Sequence, residues 1–296
     1  MVASITHRNH VSFGSTQNGE YQVRMGRCSR TPLSFKNEAI KTARLIREHA
    51  GDRDIWLSYS GGIDSEFMVR TFIEAGVEFK IATAVLSNDK NSYDLSHSRQ
   101  FCQKLNLNLH EVEIDLAEFF DTVLEEYVVN TQCVSPQFPV HMKLWDQLDG
   151  FVVAGHGDPI FKRIDNVWYF QIQEKEDSVF RYAQWRNRDM APGFFAYTPE
   201  LLLSFILEKE ISNMLITGKA AKLHDVIQVK HSVYSKCYAM EERKKQTGFE
   251  RVADLDSQHR QRLGNLCAGH DRKHLETVDH FIQQLWPHSE NTEPQQ

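Results

Sequence analysis

The middle of the chain shows two alternating patterns of hydrophobic positions. Short strand-like runs occur at residues 54–60, 79–86, 109–114 and 151–154. Apolar residues at helical spacing fill the intervals, at residues 66–75, 93–105 and 116–129. Strands that alternate with helices form a parallel sheet wrapped by helices. The pattern therefore predicts an α/β fold whose ligands bind at the carboxyl ends of the strands.

The segments on either side of this region are less regular. Weak alternation before residue 36 predicts a short hairpin or arm. Thr198 followed by Pro199 predicts a helix N-terminus, and helical spacing continues to about Tyr238. Residues 160–195 show no clean period. We therefore divide the chain into an N-terminal arm or hairpin at 1–35, a central domain at 36–250, and a helical C-terminal extension with a disordered tail at 251–296.

Composition narrows the class of protein. Hydrophobic residues make up 41% of the 296 positions and charged residues 25%, as in an ordinary globular protein. The net charge of −6 does not favour nucleic acid as a partner, although a local basic patch is allowed. No apolar stretch approaches the ~20 residues of a membrane span, so no membrane partner is expected. Five widely spaced cysteines without a C-x-x-C motif predict a reducing, cytoplasmic location.

The segment Ser60–Ser65, with the sequence SGGIDS, carries the sharpest chemical signal. Its two glycines let the backbone approach a ligand closely, and its two serines offer hydroxyl groups. The helix that follows directs its free N–H groups and positive dipole end toward whatever the loop holds. An anion, most naturally a phosphate, suits this arrangement. The alternative is a plain strand-to-helix turn, but the serines at both ends favour the phosphate interpretation.

With this loop the sequence resembles the PP-loop of the N-type ATP pyrophosphatases, the adenine nucleotide alpha-hydrolase-like superfamily. These enzymes cleave ATP between the α and β phosphates and adenylate a substrate. The resemblance implies the HUP-type parallel-sheet architecture with a helical C-terminal region, and ATP and Mg²⁺ as ligands. It also implies that Asp64 coordinates Mg²⁺. The residues that would hold the pyrophosphate part of ATP are Ser60, Gly61, Gly62, Ile63 and Ser65.

Three further stretches resemble the synthetase domain of asparagine synthetase-like enzymes. They lie at residues 79–89, 152–158 and 243–249. In the first, Val85 and Leu86 would face adenine. In the second, Gly155 would lie beside the nucleotide, and Asp158 would act in catalysis as a second Mg²⁺ ligand. In the third, Lys245 would face pyrophosphate or the reacting centre. The second and third stretches also have simpler interpretations, a turn aspartate for Asp158 and a solvated charge run around Lys245.

The chain also departs from the asparagine synthetases. Those enzymes carry an N-terminal glutaminase domain with a cysteine directly after the initiator Met, whereas residue 2 here is Val. The short segment before residue 36 leaves no room for such a domain, so we expect no ammonia to be made from glutamine. His156 stands where that group carries an acid, and Pro159 follows Asp158. Aspartate is therefore not implied as the substrate.

The combined prediction is an ATP-dependent adenylating ligase. It would activate a small-molecule carboxylate, with Asp64, Asp158 and Lys245 as catalytic residues, and join it to ammonia or an amine. One alternative is a PP-loop enzyme of sulfur transfer or base modification on tRNA or DNA. The other is a nucleotide-binding protein that has lost catalysis. Near the C-terminus, Cys267, His270 and His274 have metal-like spacing, but we expect them on a helix surface.

Overall fold

A computed structural model describes residues 5–7, 10–15, 17, 21–133, 135, 137–218, 223–241, 263, 266 and 273–286 of the chain. The strands are β1 (Ile5–His7), β2 (Val11–Ser15), β3 (Tyr21–Met25), β4 (Ile55–Ser58), β5 (Lys80–Leu86), β6 (Leu109–Ile114), β7 (Phe151–Ala154), β8 (Ile160–Ile164), β9 (Val167–Gln173) and β10 (Lys273–Thr277). The helices before β7 are α1 (Phe35–Ala50), α2 (Ile63–Ala75), α3 (Ser92–Lys104), α4 (Leu116–Glu118), α5 (Leu124–Thr131) and α6 (Gln137–Trp145). The later helices are α7 (Glu174–Trp185), α8 (Pro199–Ile206), α9 (Lys209–Thr217), α10 (Leu223–Cys237) and α11 (Val278–Leu285).

A four-stranded parallel sheet in the order β6-β5-β4-β7 lies at the centre of the fold. In its middle, Leu57 of β4 pairs with Ile81 on one side and Val153 on the other. A single parallel bridge from Val153 to Ala191 extends the sheet beyond β7. Helices connect the strands, and α8, α9 and α10 follow the sheet. The predicted α/β fold with a central parallel sheet and a helical C-terminal region is confirmed.

Burial on both faces explains why β4 and β7 read as continuous apolar runs. All four residues of β7 are buried, and so are three of the four residues of β4. A strand covered on both sides loses the alternation seen in half-exposed strands. On one face, α1 packs against α2, where the ring of Phe35 stacks on Phe67 with centroids 4.9 Å apart. Thr198 caps α8 as predicted, accepting a hydrogen bond from the N–H of Leu201.

Two antiparallel sheets flank this centre. β1, β2 and β3 form one of them within the predicted arm. The other has the order β10-β9-β8. It pairs β10 with β9, in residues 160–195, where the sequence showed no clean hydrophobic period. His274, expected on a helix surface, lies on β10, so that prediction is wrong. β10 is short and largely polar, and its strand conformation depends on pairing with β9, which no local pattern reports.

The domain boundaries drawn from the sequence stay a prediction. The N–H of Cys28 donates to the carbonyl of Leu285, so the segment after β3 contacts α11 near the end of the described chain. Cys28, Cys102, Cys133 and Cys237 form no disulfide bonds among the described residues. None of the described helices combines the length and the apolar character that a bilayer crossing requires.

Glu38 ties the segment after β3 to the first turn of α1. Its carboxylate, 2% exposed, accepts two hydrogen bonds from the Arg30 guanidinium at 2.5 and 2.6 Å. A third comes from the N–H of Leu33 at 2.6 Å. Because these bonds satisfy both carboxylate oxygens, the charge is tolerated at a buried position.

We expect Glu38→Ala to lower the free energy of unfolding by about 1–2 kcal/mol, because the Leu33 N–H and the partly exposed Arg30 guanidinium lose their buried acceptor. Chemical denaturation measures this change. Glu48→Ala is the matched control, since Glu48 lies exposed on the same helix and should change stability by less than about 0.5 kcal/mol. Equal effects of the two substitutions would show that the Glu38 contacts contribute nothing to stability.

Candidate active site

The loop from Ser60 to Ser65 follows β4 and is closed by its own hydroxyl groups. The two serine Oγ atoms lie 3.1 Å apart. The Ser65 hydroxyl donates to the carbonyl of Gly62 at 3.0 Å, and the Gly62 N–H donates to Ser60 Oγ at 3.3 Å. These bonds hold the loop in one compact shape at the carboxyl end of the sheet.

Gly61 and Gly62 have different roles in the loop. Gly61 has φ +84°, and a Cβ there would lie 2.2 Å from the carbonyl oxygen of Asp94 in the first turns of α3. Only glycine therefore fits between the loop and α3. Gly62 is the N-cap of α2 and supplies no side-chain cap. The first-turn N–H groups of α2 and its positive dipole end are thus available to an anion.

Three charged side chains from distant parts of the chain meet beside this loop. The ammonium of Lys230, on α10, lies 2.6 Å from Oδ1 of Asp64 and 2.7 Å from Oδ2 of Asp158. Asp64 belongs to the first turn of α2, and Asp158 follows the end of β7. Gly155 permits the approach, since a Cβ there would lie 3.2 Å from the Cα of Ser65. The two predicted metal ligands are thus brought together around a cation that sequence analysis did not single out.

Tyr234 orients one of these carboxylates. Its hydroxyl donates to Oδ1 of Asp64 at 2.9 Å. Its ring is fully buried and stacks on Phe67, with centroids 4.6 Å apart, and on Phe195, at 5.7 Å. Because the ring is fully buried and packs against Phe67 and Phe195, the hydroxyl has a fixed position. α10 therefore supplies both the cation and a rigid donor to the same carboxylate.

The charge state of Lys230 follows from its surroundings. Burial by itself lowers the pKa of a lysine, but the carboxylates of Asp158 and Asp64 outweigh it and raise the pKa of Lys230 above its ordinary value. Lys230 is therefore a cation at neutral pH. Burial, reinforced by the Asp64 carboxylate, also raises the pKa of Tyr234, which keeps its hydroxyl protonated as a donor.

The donor set suits a Mg²⁺ ion that also binds phosphate. Two carboxylates already converge on one positive charge. Among the described residues, no group of three or more His, Cys, Asp and Glu side chains could hold a metal ion by itself. Mg²⁺ is commonly held by one or two carboxylates together with substrate phosphates and water. Asp64 and Asp158 fit that role only with a phosphate beside them.

The other predicted site residues lie in different surroundings. Val85 is half-buried and Leu86 buried at the end of β5, which extends past Ser58, the last residue of β4. The N–H of Leu86 donates to Oδ1 of Asn91 at 3.0 Å. Both residues thus lie at the same edge of the sheet as the loop. Lys245 lies outside the described residues.

His156 packs among aromatic rings. Its ring stacks on Phe138, with centroids 5.3 Å apart, and lies near His141 at 6.0 Å and Trp145 at 6.3 Å. These contacts favour the packing role over a catalytic one. His156 is therefore part of an aromatic wall beside Asp158.

Lys230 and Tyr234 were missed by sequence analysis, although a signal exists. Lys230 lies one helical turn after the partly buried Val226 and one turn before the buried Tyr234, in line with the buried Val233. A lysine inside the apolar stripe of a helix requires a buried partner. That pattern points to a carboxylate elsewhere in the fold, but not to which one.

Comparisons with known proteins concern the fold. No protein-family model matches the chain, and no curated protein sequence matches it. Among solved structures, NMN synthetase from Francisella tularensis is 13% identical, with 76% of this chain and 94% of that chain covered and a TM-score of 0.34. The NH3-dependent NAD synthetase from Campylobacter jejuni subsp. jejuni, in complex with nitrate, is 13% identical, with 79% of this chain and 96% of that chain covered and a TM-score of 0.34. The glutamine-dependent NAD+ synthetase from Acinetobacter baumannii, in complex with ADP, is 14% identical, with 86% of this chain and 54% of that chain covered and a TM-score of 0.33.

At these identities and TM-scores the likenesses carry no argument about substrate or reaction. None of the three is an asparagine synthetase, so the expected closeness to that group stays a prediction. The functional assignment therefore depends on the geometry of the loop and of the Asp64–Lys230–Asp158 cluster.

We expect Lys230→Met to make thermal stability dependent on Mg²⁺. The substitution leaves two carboxylates facing each other without a cation, which should lower the free energy of unfolding by about 2 kcal/mol in metal-free buffer. Added Mg²⁺ should restore a larger part of this loss in the variant than it adds to the wild type. Thermal unfolding with and without Mg²⁺ measures both effects.

Lys230→Arg is the matched control, because it keeps a positive charge between the carboxylates. Its melting temperature should respond to Mg²⁺ as weakly as that of the wild type. A Lys230→Met protein whose melting temperature ignores Mg²⁺ both alone and in the presence of pyrophosphate would rule out the two carboxylates as a cation site.

His141 should make the fold sensitive to acid. Burial lowers the pKa of its imidazole from 6.5 to about 3, and the neighbouring His156 adds to this. The stability that the neutral ring contributes is complete above pH ~6.5 and is lost as the pH falls toward 3, because the unfolded chain takes up the proton first.

His141→Gln should reduce the loss of unfolding free energy between pH 6.5 and 4 by up to about 1.4 kcal/mol per pH unit. Denaturation curves at a series of pH values provide the slope. His110→Gln is the control, since the exposed His110 meets water in both states. An unchanged slope in His141→Gln would contradict the burial of this ring.

Proposed function

We propose that the protein is an ATP-dependent adenylating ligase of the PP-loop type. It would cleave ATP to AMP and pyrophosphate while activating a carboxylate for amide formation with an amine or ammonia. One observation carries this proposal. Asp64 and Asp158 converge on the Lys230 ammonium at 2.6 and 2.7 Å, directly beside a glycine loop that opens onto a helix N-terminus.

The loop and the start of α2 suit the β and γ phosphates of ATP. The N–H groups of the first turn and the dipole of α2 attract negative charge. In the bound state, the exposed hydroxyl of Ser60 donates to a phosphate oxygen, and Gly61, Gly62 and Ile63 present their backbone. Val85 and Leu86, at the neighbouring strand end, form an apolar surface for adenine.

Asp64 and Asp158 are the residues that would hold Mg²⁺. A bound Mg²⁺ neutralises charge on the phosphates and on the leaving pyrophosphate. Lys230 contributes a second positive charge to the same place, and Tyr234 keeps Asp64 in position. The late basic residue Lys245 stays a candidate for a further cation, as the sequence resemblance implied.

The reaction has two steps. A carboxylate oxygen of the first substrate bonds to the α phosphorus, the bond from that phosphorus to the bridging oxygen breaks, and pyrophosphate leaves with the electron pair. The nitrogen of the second substrate then bonds to the acyl carbon, AMP leaves, and a proton is lost to water. Fixed positive charge at Lys230 stabilises the pyrophosphate as its charge develops. Holding both substrates at one strand edge supplies orientation.

Sulfur transfer is the less favoured alternative, because it needs a reactive thiolate. Burial raises the pKa of Cys28 to about 12, and of Cys102 and Cys237 to about 11. These three thiols therefore stay protonated at neutral pH. Cys133, with 1% exposure, is closed to a bulky substrate such as tRNA. Cys267 lies outside the described residues.

Release of pyrophosphate and AMP from MgATP, across a pool of small carboxylates and amines, tests the proposal. We expect Asp64→Asn to lower kcat/KM by at least about 100-fold, because one of the two carboxylate charges is removed. Asp52→Asn is the control, since Asp52 is exposed just before β4, at the opposite end of the strand from the loop. It should leave the rate unchanged.

Two outcomes would contradict the assignment. Formation of ADP and phosphate would show that cleavage occurs at another bond. Tight ATP binding without turnover, with every carboxylate, amine and nucleic acid supplied, would favour a nucleotide-binding protein that has lost catalysis.

A further inference from the structure

A cavity lies against the stretch that carries Asp158. It encloses about 470 Å³ of empty space, part of it open to solvent. His156, Gly157 and Asp158 form one wall. The other walls come from β2, the β8–β9 hairpin, α7 and the segment around Ala196. The cavity therefore borders the proposed reaction centre, and a small molecule can enter it from solvent.

Most of the lining is apolar and part of it is aromatic. Phe13 of β2 and Phe180 of α7 both line the cavity, and their ring centroids lie 4.7 Å apart. Val179 and Ile160 add aliphatic surface. Walls of this kind suit a compact aromatic body, which gains from apolar burial and from contact with other rings.

The ionisable side chains of the lining are already engaged. Asp158 is paired with the Lys230 ammonium at 2.7 Å. Glu176 has a partner of its own, and His156 stacks on Phe138. Among the described lining residues, the polar side chain left for a ligand is therefore a neutral one, the carboxamide of Gln171.

Gln171 brings an unsatisfied carboxamide to this cavity. Its backbone pairs with Ile160 of β8 on one side and Leu275 of β10 on the other. Side chains at paired positions share a face of the sheet, and Ile160 also lines the cavity. The residue is 6% exposed, yet no group in the described part of the chain hydrogen-bonds to its carboxamide. A buried carboxamide without a partner is costly, and a ligand group that pairs with it removes that cost.

The wall next to Asp158 has little freedom to move. Gly157 has φ +90°, and a Cβ there would lie 2.8 Å from the Cβ of Ala196. The carbonyl of His156 accepts a hydrogen bond from the N–H of Phe195 at 3.1 Å. Because this stretch is fixed to its neighbours, the cavity is preformed, as ligand pockets usually are.

We propose that this cavity binds a compact, hydroxyl-bearing aromatic ring of the substrate, and that Gln171 recognises the hydroxyl group. The inference rests on the proposed function and names the class of substrate: a single phenol-like ring whose reacting group lies at the Asp158 end. A hydroxyl suits Gln171 because it can accept from the carboxamide N–H or donate to the carboxamide oxygen. The cavity thus selects the neutral end of the substrate and is indifferent to the charge of the reacting end.

The spacing of the two ends fits one ring. β8 begins at Ile160, two residues after Asp158, and Gln171 lies opposite that first residue. Two residues of chain span at most about 7 Å. A six-membered ring with a group at each end covers a distance of this order, so one molecule can reach both the Asp158 wall and the Gln171 carboxamide.

The N-terminal sheet is part of this site. Val11 and Phe13, both on β2, are buried at 1% and 3% exposure and line the cavity together with β9 and α7. A segment that reads as an arm outside the central domain thus closes one side of the cavity.

Two neutral probes of nearly equal size test the proposal. Phenol and toluene differ by the exchange of a hydroxyl for a methyl group. Ligand-observed NMR titration of the full chain gives the ratio of their dissociation constants, toluene over phenol. Gln171→Leu replaces the carboxamide with an apolar group of similar size and should lower this ratio at least 10-fold. Gln184→Leu is the matched control, because Gln184 is exposed on α7 and does not line the cavity. It should leave the ratio unchanged.

A second measurement uses the wild-type protein alone. Bound phenol should show nuclear Overhauser contacts between its ring protons and the methyl groups of Ile160, which lines the cavity beside Gln171. Their absence at saturating phenol would overturn the proposal without any variant having to fold. An equal ratio in wild type and Gln171→Leu would also overturn it, because the carboxamide would then be satisfied by water rather than by the ligand.

The outcomes separate this proposal from the proposed function. Pyrophosphate release from MgATP in a protein that does not bind phenol would overturn the aromatic pocket while the ligase assignment stands. Phenol binding that depends on Gln171, in a protein that never releases pyrophosphate, would overturn the ligase assignment and with it the role of the ring as part of a substrate.

Discussion

The contact of one ammonium with two carboxylates is the interaction on which the site depends. Lys230, Asp64 and Asp158 come from α10, from α2 and from the end of β7, and they meet within 2.7 Å of one atom. Each charge alone would be expensive to withdraw from water, and together they offset that cost. The docking of α10 over the sheet edge is therefore coupled to the formation of the site.

Close backbone approach is the second constraint. Gly61 lies against the carbonyl of Asp94, and Gly155 lies against Ser65, so the glycine loop is held from α3 on one side and from the end of β7 on the other. No room remains for a side chain at Gly61, and a Cβ at Gly155 would make a tight contact with Ser65. A loop held in this way presents N–H groups in a fixed direction, which is what electrostatic stabilisation of a charged ligand needs.

Local sequence predicted the elements that are stabilised by their own burial. The inner strands β4 and β7 are apolar over nearly their whole length and helices such as α2 along one stripe, so their periods are clear. β8, β9 and β10 are different, because their strand conformation depends on pairing with one another. β10 lies about a hundred positions after its partner β9, and no local pattern carries that information.

The sequence by itself determined the α/β class and the position of the glycine loop, because those follow from hydrophobic period and from residues adjacent in the chain. It also supplied Asp64 and Asp158 as candidate ligands. Only the tertiary structure decided that Lys230 lies between them and that β2 closes a cavity beside Asp158. The physical reason is that both are contacts between residues far apart in the chain, and packing of the whole molecule selects them.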